Sequence, residues 1–217
     1  MKRAFGIVLA LAAGAQAQVS SLSGSFILPF EDEAIQYPSP ARDNPIARLR
    51  RRIESGDVKL EFRSPNGWLL SILKNLNVPV SSQSLVFTKT SFQLNHINPV
   101  TPRALFFNDD VYVGWVKFGD VMEVSVADPV KGGVFYTIDQ IPAARPRFVR
   151  HDECLQCHAA PRTLGVPGHI VRSVYSDSEG FPQTQTSTFN TDHTSPFAER
   201  FGGWFVSGTH GRMRHMG

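Results

Sequence analysis

Cys154-Leu155-Gln156-Cys157-His158 is the string whose residue types and spacing spell a chemistry most directly. C-x-x-C-H supplies two thiols that can form thioethers with the two vinyl groups of a haem. It also supplies an adjacent imidazole that can reach the iron as proximal ligand. These are the only two cysteines of the chain, so no other thiol competes for either role. The expectation is one covalently bound haem c, held by Cys154 and Cys157, with His158 on the metal. Other chemistries could use the same residues. A redox dithiol or a structural disulfide needs only the two thiols. A thioredoxin-like motif should open a helix directly after a core strand, and the flanking sequence lacks that pattern. A zinc site would need both cysteines and two histidines.

The other face of the iron decides what such a group does. A second axial ligand favours electron transfer, and an open position allows peroxide, oxygen or small-molecule chemistry. The candidates are His96, His151, His169, His193, His210 and His215, with Met122, Met213 and Met216. His210 ranks first because it lies in a glycine-flanked loop, Gly208-Thr209-His210-Gly211, where backbone can approach a ligand closely. His169 ranks second because it follows the rigid Pro167-Gly168. Arg145, Arg147, Arg150, Arg162 and Arg172 surround the motif in sequence, and at least one is expected to meet a haem carboxylate through its fork of donors. Trp204, Phe201 and Phe205 read as core first and as haem-pocket wall second. No catalytic residue is assigned.

The N-terminus supplies a compartment. Lys2 and Arg3 precede an apolar run, Phe5 to Ala13, and Ala15-Gln16-Ala17 is a small-residue cleavage site. This is a secretory signal pattern, too short to span a bilayer. It predicts a mature chain from Gln18, in the periplasm or secreted, with no transmembrane span. Loss of residues 1–17 removes two basic residues and no acidic one, which lowers the net charge from +3 to +1. The mature chain has no large single-sign field, which argues against nucleic acid. The run Arg48-Leu49-Arg50-Arg51-Arg52 reads as a solvated helical face.

These residues need a scaffold to position them. Residues 18–83 read as an extended, proline-punctuated lead-in with short helices. Ile46 to Glu54 is one, capped by Asn44, opened by Pro45 and followed by Gly56; Trp68 to Leu76 is another. From Ser84 the chain turns strand-like. Leu85-Val86-Phe87, Ser91 to Leu94, Arg103 to Phe107, Val111 to Val116, Val121 to Val126 and Val134 to Ile138 are short runs separated by turn residues. The fold class expected is α+β and β-rich: an antiparallel meander over about 84–140, then a loop-rich haem-binding region, within a core of 84–217. The small all-helical cytochrome c fold does not match. Beyond the motif, Ile170 to Tyr175 and Gln183 to Phe189 are further strand candidates. Phe197 to Arg200 reads as one helical turn, and Gly202 to Gly208 as a short buried strand.

Some longer blocks carry a resemblance. Phe106-Phe107-Asn108-Asp109-Asp110-Val111-Tyr112-Val113-Gly114-Trp115 and Phe135-Tyr136-Thr137-Ile138-Asp139-Gln140 are two. Asp192-His193 through Pro196-Phe197-Ala198-Glu199-Arg200-Phe201-Gly202-Gly203-Trp204 and Gly208-Thr209-His210-Gly211 are others. They resemble blocks in long secreted c-type cytochrome proteins of environmental bacteria, a family without an assigned activity. The resemblance spans 84–217. It implies a haem protein, adds weight to His210 and His193, and suggests a fragment of a longer member. The leading expectation is a periplasmic electron-transfer protein with a redox partner protein. The alternatives are a haem-dependent oxidoreductase or peroxidase-like domain with an open distal side and, last, a non-haem exported protein with a disulfide.

Overall fold

The computed structural model describes residues 34–183 and 188–217. The expected signal segment and the start of the lead-in lie outside the described residues, as does the middle of the polar run Gln183 to Phe189. Helix α1, Pro45–Ser55, begins where Asn44 Oδ1 accepts the Ala47 amide at 2.8 Å. It ends at Gly56, whose left-handed backbone (φ 86°) closes the last turn. Helix α2 is Leu69–Asn75. A six-stranded antiparallel sheet follows, its strands side by side in chain order. They are β1 Ser84–Val86, β2 Arg103–Phe107, β3 Val111–Val116, β4 Val121–Asp128, β5 Gly132–Asp139 and β6 Val149–Arg150. The protein is therefore β-rich α+β, and not a small helical fold. A separate pair, β7 Arg172–Val174 and β8 Thr188–Asn190, forms a second small sheet. No helix of the described residues is long and apolar enough to cross a membrane.

Alternation along each strand gives the main sheet two faces. The inner face carries Ala104, Phe106, Val113, Met122, Val124, Val126, Val134, Tyr136 and Ile138, all buried. Ile46 and Leu49 of α1 and Leu69, Ile72 and Leu73 of α2 belong to the same core. The helical region thus shares one core with the sheet. Polar ties reinforce it. Asn44 Nδ2 donates to Asp128 Oδ2 at 3.0 Å, Trp68 Nε1 to the Asp139 carbonyl at 3.0 Å, and Tyr37 Oη to the Gly133 carbonyl at 3.1 Å. Met122 is fully buried on this face, so its sulfur faces the helices and not the side of the sheet that carries the motif.

Two expected strands do not form. Ser91 to Leu94 turns instead. Ser91 Oγ accepts the Gln93 amide and donates to Glu123 Oε1, and Gln93 Oε1 accepts the Val121 amide at 3.1 Å. Side chains that bond backbone this way compete with a ladder. Gly202 to Gly208 makes only a single bridge, Trp204 to Val86, and Phe205 and Val206 are exposed. Gly202 and Gly203 serve close approach. A Cβ on Gly203 (φ 80°) would fall 2.1 Å from Thr88 Cγ2. The segment links the two sheets: Gly203 accepts from the Phe87 amide, and Gly202 accepts from the Val174 amide.

Candidate haem-attachment site

The second face of the main sheet carries Arg103, Leu105, Phe107, Tyr112, Gly114, Glu123, Ser125, Phe135 and Thr137 at registered positions. The chain crosses this face after β6. Arg150 fastens the approach: its guanidinium lies 4.2 Å from the Tyr37 ring centre, donates to the Ser39 and Tyr37 carbonyls, and pairs with Asp152 at 2.9 Å. A 3-10 turn, Asp152–Cys154, runs directly into the one-turn helix α3, Leu155–His158. Positions 154, 157 and 158 stand i, i+3 and i+4, so both thiols and the imidazole share one side of the turn. Leu155, between them, is buried in the core.

His158 is held by a reciprocal pair of bonds. Its Nδ1 meets the Gly168 carbonyl at 2.9 Å, and the Gly168 amide donates to the His158 carbonyl at 2.9 Å. The carbonyl has no proton to give, so Nδ1 carries the hydrogen and Nε2 holds the free lone pair. Nε2 makes no hydrogen bond among the described residues. The ring also lies 4.4 Å from that of Phe135. Burial holds the imidazole below its ordinary pKa, opposed by the Gly168 bond; Arg103 lowers it further and Glu123 raises it. The neutral ring is the ligand form.

The loop that provides Gly168 is itself fastened to the sheet. The Gly133 amide donates to the Pro167 carbonyl at 2.8 Å. Gly132 sits at φ 72°, and a Cβ there would fall 2.2 Å from that carbonyl oxygen. Glycine is required at this contact both for its backbone angle and for the close approach. The sheet edge thus sets the loop, and the loop sets the imidazole.

The thiols are free and unequal: Cys154 is half-buried and Cys157 exposed. The Cys154 thiol is pushed up to about 11, first by burial and then by Glu153 and Glu123. A redox-active dithiol needs the opposite shift, toward thiolate. Among the described residues no group of three or more His, Cys, Asp or Glu is placed to hold a metal ion, so a Cys-His zinc site has no further protein ligands at hand.

The other candidates separate by location. His169 lies beside the motif. Its ring packs 4.5 Å from Tyr112 and 6.0 Å from Phe135, and Nε2 meets Ser125 Oγ at 3.0 Å. Although one side faces solvent, it is held below the ordinary imidazole range, first by desolvation and then by His158. His151 also stands on this face. Its Nε2 meets Thr137 Oγ1 at 2.8 Å and its Nδ1 meets Glu153 Oε1 at 2.6 Å. His210 is exposed, bonded to the Met213 carbonyl and 4.5 Å from the His215 ring. His215 in turn meets Phe197 and Phe201. Among the described residues no hydrogen bond, ion pair or ring contact joins this C-terminal cluster to the motif. His96 is bonded to Asp120, and His193 is exposed.

Arg145 and Arg147 are exposed, Arg150 is occupied by the lead-in, and Arg172 lies in β7. The arginine on the sheet face is Arg103, which adjacency to the motif did not single out. Period-two alternation from Leu105 would have placed it there.

Haem fits this donor set. Two thiols on one turn could each close a thioether to a vinyl group, and the His158 imidazole, its Nδ1 held by the Gly168 carbonyl, could reach an iron through Nε2, since a bond on the far nitrogen orients a ligating histidine. The face beside them is aromatic: Phe107, Tyr112, His169, Phe135 and His158 follow one another ring to ring, mostly tilted or edge-on. Phe92 meets His151 at 5.4 Å. Phe92 and Phe107 are exposed, as the rim of a shelf for a large apolar ligand would be. No protein-family model, curated protein or solved structure matches this chain.

Proposed function

We propose that this protein carries one covalently attached haem c, with Cys154 and Cys157 as thioether donors and His158 as proximal ligand. We further propose that it passes electrons to a partner protein in the periplasm or outside the cell. The observation that carries the reading is the His158 imidazole itself. Gly168 fixes its tautomer and ring orientation and leaves Nε2 free beside two thiols on the same turn. The haem would supply one-electron chemistry. The chain's residues would hold it: Cys154 and Cys157 tether, His158 ligates, and the Phe135–Tyr112 shelf excludes water from one side. Arg103 and Glu123 set the field around it.

One observation favours a catalytic variant of the same reading. His151, bonded to both Thr137 and Glu153, is a positioned acid–base group on the motif's face of the sheet. With an open distal side this would suit an oxidoreductase or peroxidase-like site.

The experiment is expression of the full chain in a host that matures c-type cytochromes. The expected result is a mass increase of one haem and an intense Soret band that survives denaturation. Cys154→Ala combined with Cys157→Ala should abolish both. A wild-type chain that matures without haem would overturn the reading. A low-spin ferric spectrum supports electron transfer and a high-spin one supports catalysis. His169→Ala and His210→Ala then identify the distal ligand, if the protein supplies it.

A further inference from the structure

Arg103 and Glu123 face each other across Gly114. Glu123 pairs with Gly114 in the β3–β4 register, and a Cβ at Gly114 would touch Arg103 Cδ, Leu105 Cδ2 and Glu123 Oε2, each at 3.5 Å. The ion pair lies over this bare floor, at 3.0 Å, with side chains only 17% and 20% exposed. Its two partners are satisfied unequally. Glu123 accepts on both oxygens, from Ser91 on Oε1 and from Arg103 Nη1 on Oε2. Arg103 is left incomplete. Its Nε is buried with no partner, and Nη2 makes no hydrogen bond among the described residues. Nε and Nη2 form one edge of the guanidinium fork, the edge that grips a carboxylate with two parallel bonds. A buried donor without an acceptor is unfavourable, and an acceptor that met this edge would relieve it.

The position of this edge suggests the ligand. Glu123 is registered with Thr137, Thr137 bonds His151, and Phe135, two residues along the same strand, contacts the His158 ring. The charges of both Arg103 and Glu123 are felt by His158, and that of Glu123 by Cys154.

We infer that Arg103 anchors a carboxylate of the attached haem through its Nε–Nη2 edge, with Glu123 acting as the brace that aims the guanidinium. This rests on the proposed haem attachment. It commits to a residue 51 positions before Cys154, outside the arginine cluster around the motif.

The test uses the full chain matured with haem. Arg103→Lys keeps the charge and the Glu123 pair but lacks the fork. Arg103→Gln combined with Glu123→Gln removes both charges, so that no buried carboxylate is left alone. Arg52→Gln, on the exposed side of α1, is the control. Mass and Soret absorbance come first, and a wild-type chain without haem overturns both this inference and the reading beneath it. With haem attached, Arg103→Lys should shift the propionate bending band in the resonance Raman spectrum. The double variant removes one protein charge of each sign and leaves the haem carboxylate without its cation, so the midpoint potential should shift from the wild-type value. It should also add a pH-dependent limb between about pH 5 and 8 as that carboxylate titrates. Arg52→Gln should change neither. Haem-loaded Arg103→Lys and double variants that match wild type in band, potential and pH profile would overturn the anchor alone.

Discussion

The two faces of the six-stranded sheet are made from alternate residues of the same strands, yet they hold different chemistry. On the inner face, Val124 meets Tyr136 and Met122 meets Ile138 across strands, under the helices, with water excluded. On the second face, Glu123 and Ser125 from the same β4 look toward an arginine, two histidines and a set of aromatic rings. The inner face obtains its free energy from apolar burial, which is non-directional and tolerant of conservative change. The second face depends on directional bonds and on glycines that keep backbone distances short. Damage to the first should appear as lost stability, and damage to the second as a misplaced ligand in a protein that still folds.

The largest stability effect is expected at Trp68. It is 2% exposed, meets Phe62 edge-on at 4.9 Å and donates to the Asp139 carbonyl. Trp68→Ala should cost about 3–5 kcal/mol in denaturant unfolding, and a loss under 1 kcal/mol would break the account of the inner face. Gly132→Ala should cost less, about 1–3 kcal/mol, from backbone strain and the clash with Pro167. Its clearer signature should be a reduced fraction of covalently attached haem, because the loop that orients His158 is displaced. Unchanged haem yield would uncouple the sheet edge from the imidazole.

The smallest effect separates the faces by pH. Burial raises the Tyr136 phenol above its usual 10.0, although Asn44 opposes this. The folded state therefore favours the neutral phenol. That contribution is complete below pH 10 and is lost as pH rises beyond it, since the unfolded chain ionises first. Tyr136→Phe should flatten the decline in urea midpoint as pH rises beyond 10.0, the ordinary phenol value. An equal slope in both proteins would mean that this phenol does not carry the alkaline limit.

Much of the scaffold was legible in the sequence because its signals are local. Asn44-Pro45 through Gly56 spells a helix from cap to cap, and β3 matches its expected span residue for residue. The Ser91 to Leu94 run misled because its alternation is real while its polar side chains bond backbone and Glu123. Gly202 to Gly208 misled because glycines that permit close crossing resemble glycines that end strands. The motif was readable as chemistry, but its support was not. Gly168 reaches His158 only because Pro167 docks on Gly133, a contact between residues far apart in the chain. Arg103 was hidden as one polar residue in a strand.

The meander has a consequence for the order of assembly. From β2 to β5 each ladder closes over a connection of three or four residues, so loop-closure entropy stays small there, and only the β1–β2 ladder spans a longer one, residues 87–102. The ladders of β1 to β5 lie wholly within residues 84–139 and use no residue of the motif. The thiols and His158 can therefore dock on a wall whose strand pairing they do not form. The helices and sheet can thus act as an internal template for the segment that follows them, and the cofactor need not help to build the surface that receives it.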